Sequence, residues 1–393
     1  SACAPDDPRV DGHTALVRLG DRVAGRPLVD GNRVSPLVDG DAAYPAMLAA
    51  IDGAERSVAL CSYIFTNDAL GARFVDALAA AHARGVTVRV LVDAAGIRFS
   101  PRSVVEKLRA RDVPVARFLP GLLPWTAPYL NLRNHRKVLV VDGAIGFTGG
   151  INITGDCVLA DQPDAPVRDL HFRVDGPVVG QLLEVFEEDW TFTTGEVLDG
   201  PEWATRDAAA GDVLARGLAD GPDEDLYRLP MMLQGALASA RERVVVITPY
   251  FLPSPEVERA LAVAALRGVR VDVYVPQRAD IPLTGWAMDA QVSDLLAAGV
   301  RVWRTPAPFD HTKLMVVDDH WVFLGSGNWD ERSLRLNFEL NVECWSPGLV
   351  DALAPLVAAR RADGTRLTAE ALASRGPLVR VRDGLARLLW PYL

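Results

Sequence analysis

Residues 135–142 read HRKVLVVD, and residues 311–318 read HTKLMVVD. A glycine turn follows each octet: Gly149-Gly150-Ile151-Asn152 after the first, Gly325-Ser326-Gly327-Asn328 after the second. The shared pattern is H-x-K-x4-D-x6-G-[GS]-x-N. One such match could arise by chance, but two at equal internal spacing point to a duplicated chain. The apolar run behind each Lys predicts a β-strand, where side chains alternate between faces. His135 and Lys137 therefore share a face, as do His311 and Lys313. Asp142 and Asp318 stand an odd number of positions from their His, which predicts that they point away and hold the strand end.

Working outward, the stretch ahead of each octet is also doubled. Residues 55–93 and 242–276 each begin with a β-branched strand carrying an aromatic pair (Tyr63 and Phe65; Tyr250 and Phe251). An Ala- and Leu-rich helix follows, then Arg-Gly-Val (84–86; 267–269) and a second strand. The Gly stops the helix and the Val run starts the strand. A strand–helix–strand unit of this length implies a parallel, right-handed crossover. The expected fold is α/β: two duplicated halves, each a mostly parallel mixed sheet flanked by helices. Residues 1–35 read as an N-terminal extension and 36–195 as the first half. Residues 196–226, rich in Gly, Asp, Ala and Glu, read as a linker. Residues 227–393 read as the second half with an amphipathic tail.

Composition narrows the function. With a net charge of −10 over 393 residues, the chain is not built to coat nucleic acid, which requires clustered cations. No apolar run reaches the ~18 residues of a membrane span. Cys3, Cys61, Cys157 and Cys344 show no CxxC spacing and are too few for a disulfide scaffold or a cysteine-based zinc site. Ser1-Ala2-Cys3 could be the end of a lipoprotein signal. That leaves a soluble, peripheral-membrane, exported or lipid-anchored location open. Lys fills three of the 41 Lys and Arg positions, and two of those three are Lys137 and Lys313. A sequence that writes Arg elsewhere keeps Lys where a compact ammonium is needed.

Two His, two Lys and two Asn around one point suit a phosphodiester. One neutral imidazole attacks phosphorus and the other, protonated, gives its proton to the departing alcohol. Lys137, Lys313, Asn152, Asn328 and Ser326 are candidates to hold the non-bridging oxygens. The two Lys supply the positive charge, so the reaction requires no metal and no cofactor. A His-pair metal site is the competing reading, and the carboxylate clusters it would need are missing. Each His also needs an orienting carboxylate. Asp169, in RDLHFR (168–173), and Glu339, in LNFEL (336–340), lie in strand-like segments at equivalent places in the repeat.

These segments, with Tyr63-Ile64-Phe65, Asp189-Trp190 and Thr248-Pro249-Tyr250-Phe251, resemble the phospholipase D superfamily, most closely its bacterial cardiolipin synthase branch. The resemblance covers roughly residues 40–345. It implies two α/β halves meeting at a shared active site and a covalent phosphohistidine, with His135 as nucleophile and His311 as acid, then base. It also implies that Asp169 and Glu339 each support a His, which could be the one in the opposite half. The membrane-spanning segments common at the start of cardiolipin synthases are missing from this sequence.

A phospholipid substrate fits the apolar, Pro-rich stretch 118–132 ahead of His135, which can contact acyl chains or a bilayer surface. Arg380, Arg382 and Arg387 among the apolar residues of the tail suit a helix touching anionic lipid; a plain core-docking helix is the competing reading. Trp286 and Met288 are candidates for the rim of the second half. Because both half-sites lie in one chain, a monomer suffices. A nuclease or other phosphodiesterase of the same superfamily is the alternative function.

Overall fold

The computed structural model describes residues 7–10, 12–94, 96, 103–119, 132–222 and 227–388. Helix α1 (Thr14–Ala24) and strand β1 (Val29–Val38) come first. They are followed by α2 (Asp39–Asp52), β2 (Ser57–Ser62), α3 (Ala69–Ala83), β3 (Thr87–Asp93), α4 (Val104–Arg109) and β4 (Val115–Phe118). The first motif supplies β5 (Arg133–Asn134), β6 (Val138–Val141) and β7 (Ile145–Gly149). Next come β8 (Val167–Arg168), β9 (Leu170–Asp175) and α5 (Val178–Thr194). The second half opens with β10 (Val213–Asp220), α6 (Arg228–Ser239), β11 (Arg243–Ile247), β12 (Phe251–Leu252), α7 (Pro255–Leu266), β13 (Arg270–Pro276), α8 (Pro282–Ala297) and β14 (Arg301–Thr305). Its motif supplies β15 (Phe309–Asp310), β16 (Leu314–Val317) and β17 (Trp321–Gly325). Then come β18 (Trp329–Asp330), α9 (Glu331–Arg335), β19 (Asn337–Trp345) and α10 (Pro347–Asp363). The described chain closes with β20 (Thr365–Arg366), α11 (Ala369–Ala373) and α12 (Pro377–Leu388).

The doubled Arg-Gly-Val triplet has a local physical cause. Gly85 and Gly268 take φ of +90° and +93°, the left-handed conformation that ends α3 and α7 and that a side chain would resist. The Arg before each glycine donates to carbonyls at the end of a neighbouring helix. Arg84 reaches those of Ile51 in the last turn of α2 and Ala54 just beyond it, and Arg267 those of Leu237, Ala238 and Ala240 around the end of α6. At the other end, the Asp68 carboxylate caps α3 by accepting from the Gly71 amide at 2.7 Å.

The strands form one continuous sheet in the order β4-β3-β2-β6-β7-β9-β1-β10-β19-β17-β16-β11-β13-β14, with β20 at the far edge. The order is palindromic about the β1–β10 pair, where the halves join antiparallel (Val29↔Ala215, Asn32↔Val213). The duplicated α/β halves are thus as expected, and the sheet is mixed. The parallel share is smaller than expected. Along this order the parallel pairs are β2–β3–β4 and β11–β13–β14, because the motif strands β6 and β16 return as hairpins and draw their neighbours into antiparallel ladders.

The stretch read as a linker is corrected as well. It contains β10, which is buried throughout and is the first strand of the second half. Arg216 of this strand is buried and ion-paired with Glu343 and Asp21. The stretch read as an N-terminal extension likewise contains α1, which packs on α6, and most of β1. One sheet face is covered by α5 and α10, whose core draws on both halves. The other is covered by α2, α3 and α4 in the first half and by α1, α6, α7 and α8 in the second. With both faces covered, β6 (VLVV) and β16 (LMVV) are apolar at every position.

Asp142 and Asp318 close these hairpins. Both take φ of +54°, a conformation Asp tolerates better than most residues. The Asp142 carboxylate accepts from the amides of Glu55, Arg56 and Ser57, and that of Asp318 from the amides of Arg241, Glu242 and Arg243. Each motif Asp therefore pins its hairpin to the start of the adjacent strand. Asp142→Ala should cost about 2–4 kcal/mol of stability, seen as a lower melting temperature, with turnover per folded molecule retained.

Candidate active site

The two-residue strands ahead of the histidines cross between the halves. β5 pairs in parallel with β19 (Phe338↔Asn134), and β15 pairs in parallel with β8 (Asp310↔Arg168). The His135 amide then donates to the Phe338 carbonyl at 2.9 Å, and the His311 amide to the Arg168 carbonyl at 2.7 Å. The side chains repeat the exchange. His135 Nδ1 lies 3.0 Å from Glu339 Oε2, and His311 Nδ1 lies 2.7 Å from Asp169 Oδ2. An ionised carboxylate only accepts, so each Nδ1 carries the proton and each Nε2 keeps a lone pair.

Lys137 Nζ donates to the His135 carbonyl at 2.7 Å, and Lys313 Nζ donates to that of His311. Burial lowers the Lys137 ammonium to about 7 and the Lys313 ammonium to about 8, and Lys137 is lowered further by repulsion from Lys313 across the halves. Burial, helped by Lys137 and Lys313 and opposed by Glu339, pushes His135 down to about 4. His311 is lowered from 6.5 by burial and by Lys313, against the pull of Asp169. Burial raises Glu339, but His135 and Lys137 overcome it and hold the carboxyl below its ordinary value. The resting site is therefore neutral imidazole beside carboxylate, twice over.

Ser326 departs from its expected place among the phosphate ligands. Its hydroxyl donates to Glu339 Oε2 and accepts from the Leu340 amide, so it is spent inside the protein. Asn337 Nδ2 donates to the other Glu339 oxygen at 3.1 Å. The matching motif position in the first half is Gly150, where a Cβ would overlap the Asp169 carboxylate. Gly and Ser thus alternate because one carboxylate crowds the turn and the other accepts a hydroxyl from it. Asn152 Oδ1 accepts from the Ile64 amide at 3.1 Å. Its Nδ2, and both amide atoms of Asn328, are without a hydrogen-bond partner among the described residues, so these two side chains can donate to an anion.

Sequence reasoning did not find the supports behind the histidines. Arg136 is buried, pairs with Asp189 at 2.6 Å and donates to the Glu339 carbonyl at 3.1 Å; Asn134 Nδ2 holds the second Asp189 oxygen at 2.7 Å. In the second half Arg360 pairs with Asp310 at 2.9 Å. Asn134 and Arg136 flank His135 on either side, which was a usable signal, whereas nothing near Arg360 marks it. Tyr63 sets its ring 5.0 Å from that of His135 and 5.4 Å from Lys137 Nζ. Tyr250 sits 6.5 Å from the His311 ring and donates to Asp280 at 2.6 Å.

Beside Tyr250 lies a cavity of about 370 Å³ lined by Trp286 and Met288 among others, but by neither site histidine. His171, left without a role by the sequence, is buried, and that burial lowers it to about 4. Within the apolar stretch 118–132, residues 120–131 lie outside the described residues, as do Cys3 and the tail beyond 388. No group of three or more His, Cys, Asp or Glu side chains that could hold a metal ion occurs among the described residues.

Residues 47–190 and 233–357 match the family described as "Cardiolipin synthase, PLD-like domain". A cardiolipin synthase of Geobacillus kaustophilus is 31% identical over 380 residues, which is 96% of this chain and 76% of that protein. Cardiolipin synthase A of Pseudomonas aeruginosa is 36% identical over 388 residues, 98% of this chain and 78% of its own length. Among solved structures, a phosphatidylserine synthase from Haemophilus influenzae aligns with a TM-score of 0.72 at 14% identity, covering 96% of this chain and 100% of that one. That likeness is one of fold.

Glu339→Gln can donate to Nδ1 and so favours the wrong tautomer of His135. It should lower kcat toward a chromogenic phosphodiester by about 10²–10⁴-fold with little change in melting temperature.

Proposed function

The chain belongs to the cardiolipin synthase, PLD-like domain family and is a phospholipase D-type phosphatidyltransferase, and we propose that it transfers a phosphatidyl group between alcohols through a phosphohistidine, without a metal ion. The observation that carries this reading is the pair of imidazoles whose Nδ1 atoms are each taken by a carboxylate of the opposite half, leaving both Nε2 atoms for substrate.

His135 Nε2 attacks phosphorus and the bond to the headgroup alcohol breaks. The departing oxygen takes the proton of His311 Nε2. His311 then removes the proton of an incoming alcohol, whose oxygen attacks phosphorus and breaks the phosphorus–nitrogen bond, restoring neutral His135. A lowered His135 suits the nucleophile, because its ring stays neutral at physiological pH. His311 must be charged to act first, and the bound phosphodiester anion raises its proton affinity when it arrives. Lys137, Lys313, Asn152 and Asn328 would hold the non-bridging oxygens. Phosphatidylglycerol is the proposed donor and acceptor. Attack by the glycerol of a second lipid forms cardiolipin, and attack by water forms phosphatidic acid. The protein would work as a monomer at a membrane surface, since both half-sites lie in one chain.

The test is incubation with phosphatidylglycerol in EDTA, with products identified by mass spectrometry. Wild type should form cardiolipin or phosphatidic acid. His135→Ala and His311→Ala should both lose turnover. With an activated leaving group, His311→Ala should accumulate acid-labile phosphoenzyme and His135→Ala none; the reverse pattern would exchange their roles. Loss of activity in EDTA that divalent metal restores would refute metal independence. The free-enzyme profile, kcat/KM against pH, should be bell-shaped. Its acid limb should fall near pH 4 as His135 gains a proton. Its alkaline limb should begin below pH 6.5 as His311 loses one, and steepen near 7 as Lys137 loses its charge.

A further inference from the structure

Helix α12 is fastened on its inner side. Ala386 enters the core of the second half, and the buried Asp383 accepts from Arg375 at 3.0 Å and from Arg382 at 2.7 Å. Arg375 also reaches Asp289 of α8 at 2.6 Å, and the Arg382 guanidinium lies 4.3 Å from the centre of the Trp286 ring. The outer side is apolar. Leu378, Val381, Leu385 and Leu388 are 84%, 60%, 59% and 73% exposed among the described residues. Their spacing of three, four and three places them within an arc of about 80° on a helix that turns about 100° per residue. Arg382 borders one edge of that arc; Arg380 and Arg387 lie about 80° and 100° beyond the other, so their long side chains must reach back toward the apolar face, and Arg387 also donates to the Ala290 carbonyl of α8 at 3.5 Å. The single acid of the helix, Asp383, faces inward. Arg380 has no side-chain partner among the described residues.

An apolar stripe with this spacing could seat a second copy of the helix or a lipid surface. A paired helix needs opposite charges along its seam. Here two copies would bring arginines against arginines, whereas an anionic surface would satisfy them. The helix also neighbours the candidate site, since Arg375 and Arg382 line the cavity of about 370 Å³ that Tyr250 lines too, and the Tyr250 ring lies 6.5 Å from that of His311.

We propose that α12 is a bilayer-docking helix. Leu378, Val381, Leu385 and Leu388 enter the acyl boundary of an anionic membrane, Arg380 and Arg387 meet its phosphate headgroups, and the Tyr250 cavity is held beside the headgroup layer. The inference takes its lipid surface from the proposed substrate, but it does not depend on the chemistry at His135.

The test is flotation of the full chain with vesicles of phosphatidylglycerol and phosphatidylcholine, against vesicles of phosphatidylcholine alone. Melting, sedimentation and turnover of a short-chain phosphatidylglycerol below its micelle concentration are measured in parallel. Wild type should bind the anionic vesicles. Leu385→Gln with Leu388→Gln should weaken binding at least about tenfold, and Arg380→Gln with Arg387→Gln about fivefold per charge. Melting and turnover of the dissolved lipid should stay unchanged in both variants. Wild type that ignores anionic vesicles, or variants that bind as well as wild type, would overturn the proposal. So would a wild-type dimer that the leucine variant splits, which assigns the stripe to a second copy, or a large drop in its melting temperature, which assigns it to packing within the chain. Wild type that binds vesicles but turns over no lipid would sink the functional reading and leave the docking helix standing.

Discussion

A backbone hydrogen bond and an imidazole–carboxylate bond fasten each histidine to the half it does not come from, and the rest of the site follows from that exchange. His135 is aimed by Phe338 and Glu339, and His311 by Arg168 and Asp169. Neither half contains a complete, oriented imidazole by itself. The two-residue strands β5 and β15 make the exchange possible, because each leaves its own half just long enough to pair with a strand of the other, β19 or β8. The buried pairs Arg136–Asp189 and Arg360–Asp310 then hold the crossing segments from behind. Such pairs are poor sources of stability, since desolvation consumes most of their attraction, but breaking one partner is costly. Their value here is in fixing direction.

Concentrating two ammoniums, two imidazoles and two carboxylates in one buried region sets its protonation. Burial pulls both ammoniums and both imidazoles toward neutrality, a neighbouring ammonium adds to this at Lys137, His135 and His311, and the carboxylates resist only in part. A site so arranged is short of negative charge. A phosphodiester supplies it, and its arrival strengthens the very groups that must hold it.

Much of this was legible in the chain. The doubled octets announce the duplication and group each His with its Lys, although residues 135–137 and 311–313 lie between strands rather than on a strand face. The carboxylates were found from their equivalent places in the repeat. What escaped had a common cause: polar residues whose partners are distant in sequence. The Gly, Asp, Ala and Glu of residues 196–226 suggest a linker and hide β10, whose Arg216 is buried and ion-paired with Glu343 of β19 and Asp21 of α1. Ser326 was assigned to substrate because a hydroxyl after a glycine turn suits an anion, and only the fold reveals that Glu339 already claims it. Arg360 sits in an ordinary helix, and nothing local distinguishes it from an exposed cation.

The palindromic sheet has a mechanical consequence. Because β1 and β10 are hydrogen-bonded edge to edge, the two lobes share one β-framework and cannot swing apart like a clamshell without tearing a ladder at its centre. Breathing large enough to admit a substrate must then come from the periphery, where α11 and α12 both bear on α8. Entry and exit become a matter of side chains and surface segments yielding around a stationary hearth.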